Sequence, residues 1–385
     1  MTGGSSLVIA TLERMSWKVL ERVPGQEHAM AFLQGAAERP HHAYVLAGPE
    51  GSGKSLAARA FAAALLCRLG GCGECRDCRL ALKDQHPNEF LVEPEGRDIH
   101  VDTVRDEVCH PASRTAPEPG SKVFVIREAD RLSPAAADTL LKVLEEPPAD
   151  AVFLLMSARA HELPDTVRSR CHMVTFTALS ESFVVEVLTS EGVEPPRAQL
   201  AARLTGGNLG RARRLATNDD GLAFRDAAVH ALELASRGPT GALAAADAVL
   251  AAATDYKKAM KSQLDDELAP FLDEKGRPED HYRGAIRRIE IRFKRKERRA
   301  ERDYVDWVLL GASALLRDRI ASSVGAPRDE LLNPDIAPEA DLSVVRAASG
   351  LAGVEAARAE LAEDLNLNTR LVLERAFLCL AEIAA

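Results

Sequence analysis

Aromatic residues are scarce in this chain, at 4% of 385 residues. Alanine and leucine dominate instead, and both favour helix. No apolar run reaches the roughly 18 residues of a membrane span, so a membrane protein is not expected. A basic segment ahead of the short apolar patch in residues 1–10 is missing too. That argues against a signal peptide and for a cytoplasmic location. An excess of positive charge is also absent: the formal net charge is -9. A protein whose main task is gripping nucleic-acid phosphates is usually basic, so any DNA contact must be local or shared with partners. The length allows two or three compact domains.

Short apolar runs are present, and they alternate with helical patterns. Residues 42–47 (HAYVLA), 89–93 (EFLVE), 122–127 (KVFVIR), 151–156 (AVFLLM) and 173–176 (MVTF) read as five strands. A helix is predicted over 54–68, and Val101, Val104 and Val108 repeat at helical spacing. Ser133-Pro134 opens another helix, with serine as N-cap and proline at the first helical position, and Pro147-Pro148 ends it. Near-continuous apolar strands between helices imply a parallel α/β sheet covered on both faces. Beyond about Thr177 strands cease. The pattern divides the chain into an α/β module at 1–178, a small helical lid at 179–220 and an all-α domain at 221–385. Long helices are predicted at 221–237, 240–272, 283–320 and 340–384.

Gly48-Pro49-Glu50-Gly51-Ser52-Gly53-Lys54-Ser55 is a complete G-x-x-x-x-G-K-S phosphate loop with a strand before it and a helix after. Its glycines let backbone N–H groups face a phosphate, and the helix adds its positive end. Lys54 is expected to reach the β- and γ-phosphates, and Ser55 to meet a magnesium ion. A loop that keeps this shape without holding nucleotide is the competing reading. A hydrolytic site also needs an Asp-Glu pair at the end of an apolar strand. Residues 123–126 are followed by Arg127-Glu128-Ala129-Asp130. Glu128 falls in the catalytic slot, but Arg127 stands where the metal-binding aspartate belongs. A guanidinium repels a cation, so hydrolysis is expected to be slow or absent and magnesium not to be held. Arg127 either joins Lys54 in compensating bound ATP or turns to solvent. A magnesium ion on Asp130 beside a triphosphate would overturn this expectation.

Of seven cysteines, Cys67, Cys72, Cys75 and Cys78 lie within a dozen residues. Four thiolates at this spacing suit tetrahedral Zn²⁺ and leave no open position, so the role is structural. Cys67, at the end of an apolar helix, is the weakest ligand; it could be core, with His86 a substitute.

These pieces resemble bacterial clamp loaders of the AAA+ class. The match is carried by Val23-Pro24-Gly25-Gln26, His42-Ala43-Tyr44, the phosphate loop, the cysteine module after the loop helix, and His86-Pro87-Asn88. Residues 140–148 (LLKVLEEPP) and Ser169-Arg170-Cys171 complete it. The resemblance implies a nucleotide-binding module that takes ATP or ADP, a lid and a collar that packs subunits into a ring. It implies partners: the loader subunits delta and gamma/tau, the sliding clamp and primer-template DNA reached through the complex. The broken acidic pair fits the delta-prime kind better than the hydrolysing gamma/tau kind. Arg170 would then be an arginine finger acting on a neighbour's ATP; the residues alone would make it a surface salt-bridge former. Ser157, at the end of the fourth strand, is a γ-phosphate sensor or a simple strand terminator. Arg211 is a lid sensor or a solvated helix residue. The basic stretch 283–302 reads as a solvated helix face, with a nucleic-acid site the alternative.

Overall fold

The computed structural model describes residues 18–94, 98–217, 219–259, 264, 268–271, 283–336, 342–363 and 367–381. The patch in residues 1–10 and the predicted break at 275–278 lie outside them. The chain forms two compact units, Met1–Leu179 and Ser180–Ala385.

The first unit is built on a parallel sheet. Its strands are β1 (Ala43–Ala47), β2 (Glu89–Val92), β3 (Lys122–Ile126), β4 (Ala151–Ser157) and β5 (His172–Thr175), in the order β2-β3-β4-β1-β5. Strands β1, β3 and β4 are buried along their whole length, as central strands covered on both faces must be. Alternate residues feed two cores. Tyr44, Leu46, Val125 and Leu154 pack with Phe61 of the helix Lys54–Leu66. Val45, Phe124, Ile126 and Phe153 pack with Leu140 and Leu144 of the helix Pro134–Glu145 and with Val104 and Val108. Phe90, Phe124 and Phe153 are in register across three strands and stack at 4.8 and 5.0 Å. Ser133 caps its helix as predicted, its hydroxyl accepting from Ala136 N–H at 3.3 Å. The parallel strands bring the segments after β1, β3 and β4 to one end of the sheet, where the site lies.

The described residues of the second unit contain helices and their connections and no strand. Short helices at Glu181–Ser190, Pro195–Thr205 and Leu209–Thr217 precede long ones at Asp219–Ala235, Pro239–Ala259, Arg283–Ser323, Val344–Glu363 and Thr369–Ala381. Phe224 stacks on Trp307 at 5.5 Å in its core. The single helix predicted over 340–384 is two helices. Asn368 caps the second, its Oδ1 accepting from Arg370 N–H at 3.1 Å; this asparagine competes with helix continuation. The basic helix buries Ile286, Ile289 and Phe293, while Arg287 and Lys294 are exposed. Among the described residues no helix is long and apolar enough to cross a membrane.

Candidate nucleotide site and zinc module

The phosphate loop leaves β1 at Gly48, whose N–H donates to Ser157 O at the end of β4 (3.2 Å). A Cβ at Gly48 would sit 2.3 Å from Phe176 O, so only glycine fits. Gly53, at φ 92°, makes the left-handed turn into the helix. Lys54 Nζ donates to Gly48 O (2.5 Å) and Pro49 O (2.6 Å), which holds the ammonium inside the loop. Burial pushes its pKa below the usual lysine range, with Glu50 and Asp130 pulling the other way. Ser52 is buried, Gly51 partly buried and Ser55 exposed at the mouth of the loop. The Gln26 side chain secures the loop from behind. It donates to Ser52 O (2.9 Å) and Thr177 O (2.8 Å) and accepts from Thr177 N–H (3.1 Å). Gln26 carried part of the family resemblance, but nothing in the sequence pattern showed this role.

On the acidic side the structure departs from both readings of Arg127. Its guanidinium neither serves the phosphate loop nor turns to solvent. It lies between Glu93 (2.6 Å) and Asp84 (2.8 Å), with its side chain 21% exposed. Burial works against its charge, but the two carboxylates hold its pKa above the ordinary value. Asp84, at φ 56°, is also gripped by Arg59 of the loop helix at 2.7 Å. Arg127 therefore ties β2 and β3 to that helix. Glu128 is left-handed at φ 49°, an unfavourable conformation for a long side chain, and pairs with Arg131 at 3.0 Å.

Asp130 has a different surrounding. Its side chain is 6% exposed; Oδ1 accepts from Ser157 Oγ at 2.6 Å, and Oδ2 lies 3.3 Å from Arg159. The Ser157 hydroxyl also accepts from Arg159 N–H at 3.0 Å. Arg170 lies outside this group of residues. It pairs with Glu145 at 2.6 Å and donates to Thr166 O at 2.9 Å. Arg211 pairs with Asp306 at 3.4 Å and lies 5.8 Å from the Trp307 ring centre, within the second unit.

The four clustered cysteines converge. The Sγ atoms of Cys67 and Cys72 are 3.9 Å apart, those of Cys67 and Cys75 3.6 Å, and those of Cys72 and Cys78 4.0 Å. Four sulfurs about 2.3 Å from a tetrahedral zinc lie about 3.8 Å from each other, so the cluster fits a structural Zn²⁺. Backbone N–H groups of Glu74 and Cys75 lower the Cys72 thiol to about 7, while burial raises Cys75 and Cys78. Cys67 is thus one of the four, and His86 does not replace it. His86 Nδ1 accepts from Asn88 N–H (3.1 Å), which leaves the proton on Nε2. Nε2 faces Asp77 of the module (3.6 Å) and Glu118 (4.0 Å). Asn88 holds the Glu118 loop, its Oδ1 accepting from Glu118 N–H at 2.8 Å. His86 therefore braces the module against the sheet.

A phosphate loop after β1, an acidic segment after β3 and a polar terminus on β4 define a parallel α/β core of the AAA+ type, with a helical C-terminal region. Residues 25–180 match the family profile "DNA polymerase III, delta subunit". The chain is 33% identical over 214 residues to DNA polymerase III subunit delta' of Bacillus subtilis, covering 54% of this chain and 63% of the relative. It is 39% identical over 202 residues to subunit delta' of Pseudomonas aeruginosa, covering 50% and 60%. The tau subunit of Bacillus subtilis is 30% identical over 215 residues, covering 53% and 38%. The match thus spans less than two thirds of these relatives. The chain is homologous to the delta-prime, gamma and tau clamp-loader subunits of bacterial DNA polymerase III.

Proposed function

We propose that this chain is the delta-prime subunit of a clamp loader that places the sliding clamp on primed DNA. In this reading residues 1–178 are the nucleotide-binding module, 179–220 the lid and 221–385 the collar. Its partners are the loader subunits delta and gamma/tau, the clamp and, through the complex, primer-template DNA. It works in the cytoplasm. The chain binds ATP or ADP through Gly48, Gly51, Ser52, Gly53, Lys54 and Ser55 and hydrolyses little of it. Arg170 serves a neighbour's ATP in trans. Ser157 and Arg211 monitor the bound nucleotide.

The observation that carries this reading is the fate of the acidic pair. Arg127 is locked between Asp84 and Glu93, and Glu128 is turned onto Arg131. Both side chains are engaged in ion pairs, which supports the reading of weak hydrolysis. The location of Arg170 also suits the proposal. It is partly exposed, and its ionic partner Glu145 is a surface carboxylate; such a pair is worth about 0–1 kcal/mol and is easily exchanged.

Steady-state ATP hydrolysis tests the proposal. The purified chain alone should turn over negligible ATP. Assembly with delta and gamma/tau should produce activity that Arg170→Ala lowers about 10³-fold or more at the affected site. The homology to tau subunits favours a second reading, an active gamma/tau-like ATPase. Brisk turnover by the isolated chain would establish it instead.

A further inference from the structure

We infer that the cysteine module carries a docking surface for an acidic peptide segment of a partner protein, made by exposed Leu69 and the cations Lys18, Arg22, Arg68 and Arg79. The inference is independent of whether the phosphate loop holds nucleotide.

Two segments build this surface. The short helix Lys18–Glu21 packs against the module, Val19 N–H donating to Gly71 O at 3.2 Å. Arg22, the next residue, lays its guanidinium over Gly73, where a Cβ would stand 3.2 Å from Nη2. Arg79, from the helix Arg76–Ala81, reaches the adjacent residue, Nη1 donating to Glu74 O at 2.6 Å. Two guanidinium groups thus lie on consecutive residues of one turn. At the start of the same loop, Leu69 N–H donates to Cys67 Sγ (3.3 Å) and Gly70 N–H to Cys67 O (2.9 Å). These bonds hold the backbone there, while the Leu69 side chain is 47% exposed and Arg68 is exposed beside it.

Charge sets this surface apart. Elsewhere in the unit Arg59, Arg105, Arg127, Arg131, Arg159 and Arg170 each have a carboxylate partner. Among the described residues, Lys18, Arg22, Arg68 and Arg79 form no ion pair. Exposed Glu21 and Glu74 lie on the same segments and pair with none of them. On a chain of net charge -9, these cations make a local positive field that attracts and orients an acidic ligand. The rival role for them is to balance an anionic zinc–thiolate group. Yet the sulfurs accept from the backbone N–H groups of Leu69 and Cys78, and none of the four cations donates to a sulfur.

The chemistry favours a peptide over nucleic acid. Residues 18–22 and 67–81 include no aromatic side chain on which a base could stack. An exposed leucine beside arginines suits instead an apolar residue flanked by carboxylates, which guanidinium groups grip in pairs of hydrogen bonds.

The test is fluorescence anisotropy of three labelled probes with the full, zinc-loaded chain. They are a peptide of aspartates and glutamates around a central leucine pair, the same peptide with serines for the leucines, and an oligothymidine of equal charge. The leucine peptide should bind at least about tenfold more tightly than either other probe, and more weakly as salt rises. The double variant Arg22→Gln/Arg79→Gln should keep its zinc by elemental analysis and bind the leucine peptide at least about tenfold more weakly. Leu69→Ser should erase the preference for leucines over serines. A wild-type chain that ignores the leucine peptide, or binds oligothymidine as tightly, overturns the inference, and that measurement needs no variant. Zinc loss from the double variant would assign the cations to the thiolates and overturn it as well. A leucine preference that survives Leu69→Ser would show that the peptide docks elsewhere.

Discussion

The cysteine cluster, which fits a structural zinc, and the phosphate-loop site sit in the same unit, yet they are built in opposite ways. The module has all four sulfurs at tetrahedral spacing, drawn from twelve consecutive residues. The phosphate-loop site has a complete loop and an acidic side whose residues are tied into ion pairs. Its charges come from residues 34 and 43 positions away from Arg127, and 27 positions separate Asp130 from Ser157. A site made from one short segment is all or nothing, because losing a ligand loses the ion. A site assembled from several strand ends can exchange partners piece by piece and still close its charge balance.

The module should break hardest. Structural zinc contributes on the order of 10 kcal/mol of apparent binding free energy in small zinc domains. We expect elemental analysis to find a single zinc ion per chain. Cys67→Ser, Cys72→Ser, Cys75→Ser and Cys78→Ser should each abolish tight zinc binding and destabilise the first unit by at least about 3 kcal/mol in urea unfolding. Full zinc retention by Cys67→Ser would show that three thiolates suffice and that the fourth position is not a sulfur.

That contrast also governs how much could be read from the sequence. All five strands, the loop helix and its glycines were legible, because each is signalled by a few adjacent residues. The cysteine module was legible for the same reason. The environment of Arg127 was not, because Asp84 and Glu93 meet it only through the β2-β3 pairing and the turn after the module. Gln26 was visible only as part of a resemblance, since its partners Ser52 and Thr177 lie 26 and 151 positions away. Asn368 could have been found: asparagine ahead of Thr369-Arg370 is a capping signal, which the expectation of one helix over 340–384 did not use.

Arg127 offers the second break. Restoring the missing aspartate looks like a repair on the sequence, but the structure predicts damage. Arg127→Asp would place a third carboxylate beside Asp84 and Glu93, with Arg59 still paired to Asp84. Removing one partner of a buried pair costs about 3–5 kcal/mol, and the added like charge can only increase that. Urea unfolding of Arg127→Asp should show at least this loss, with Arg127→Met less affected. A stable Arg127→Asp chain with brisk ATP turnover would show that these ion pairs are not what holds the acidic side.

The smallest effect tests the link between module and sheet. Burial holds the His86 pKa below its ordinary value, against the pull of Asp77 and Glu118, so the folded ring is neutral where an unfolded histidine would gain a proton. The unfolded chain therefore binds more protons in the window below about pH 6.5, and stability falls there as pH falls. The contribution is fully present above that pH and is lost as pH drops through the lower, folded value. His86→Gln should cost about 1–2 kcal/mol at neutral pH through the unpaired Asn88 N–H, keep its zinc, and lose this share of the acid sensitivity. Zinc loss in His86→Gln at neutral pH would mean that the ring is a ligand and not a brace, and would break the separation between module and sheet on which the comparison depends.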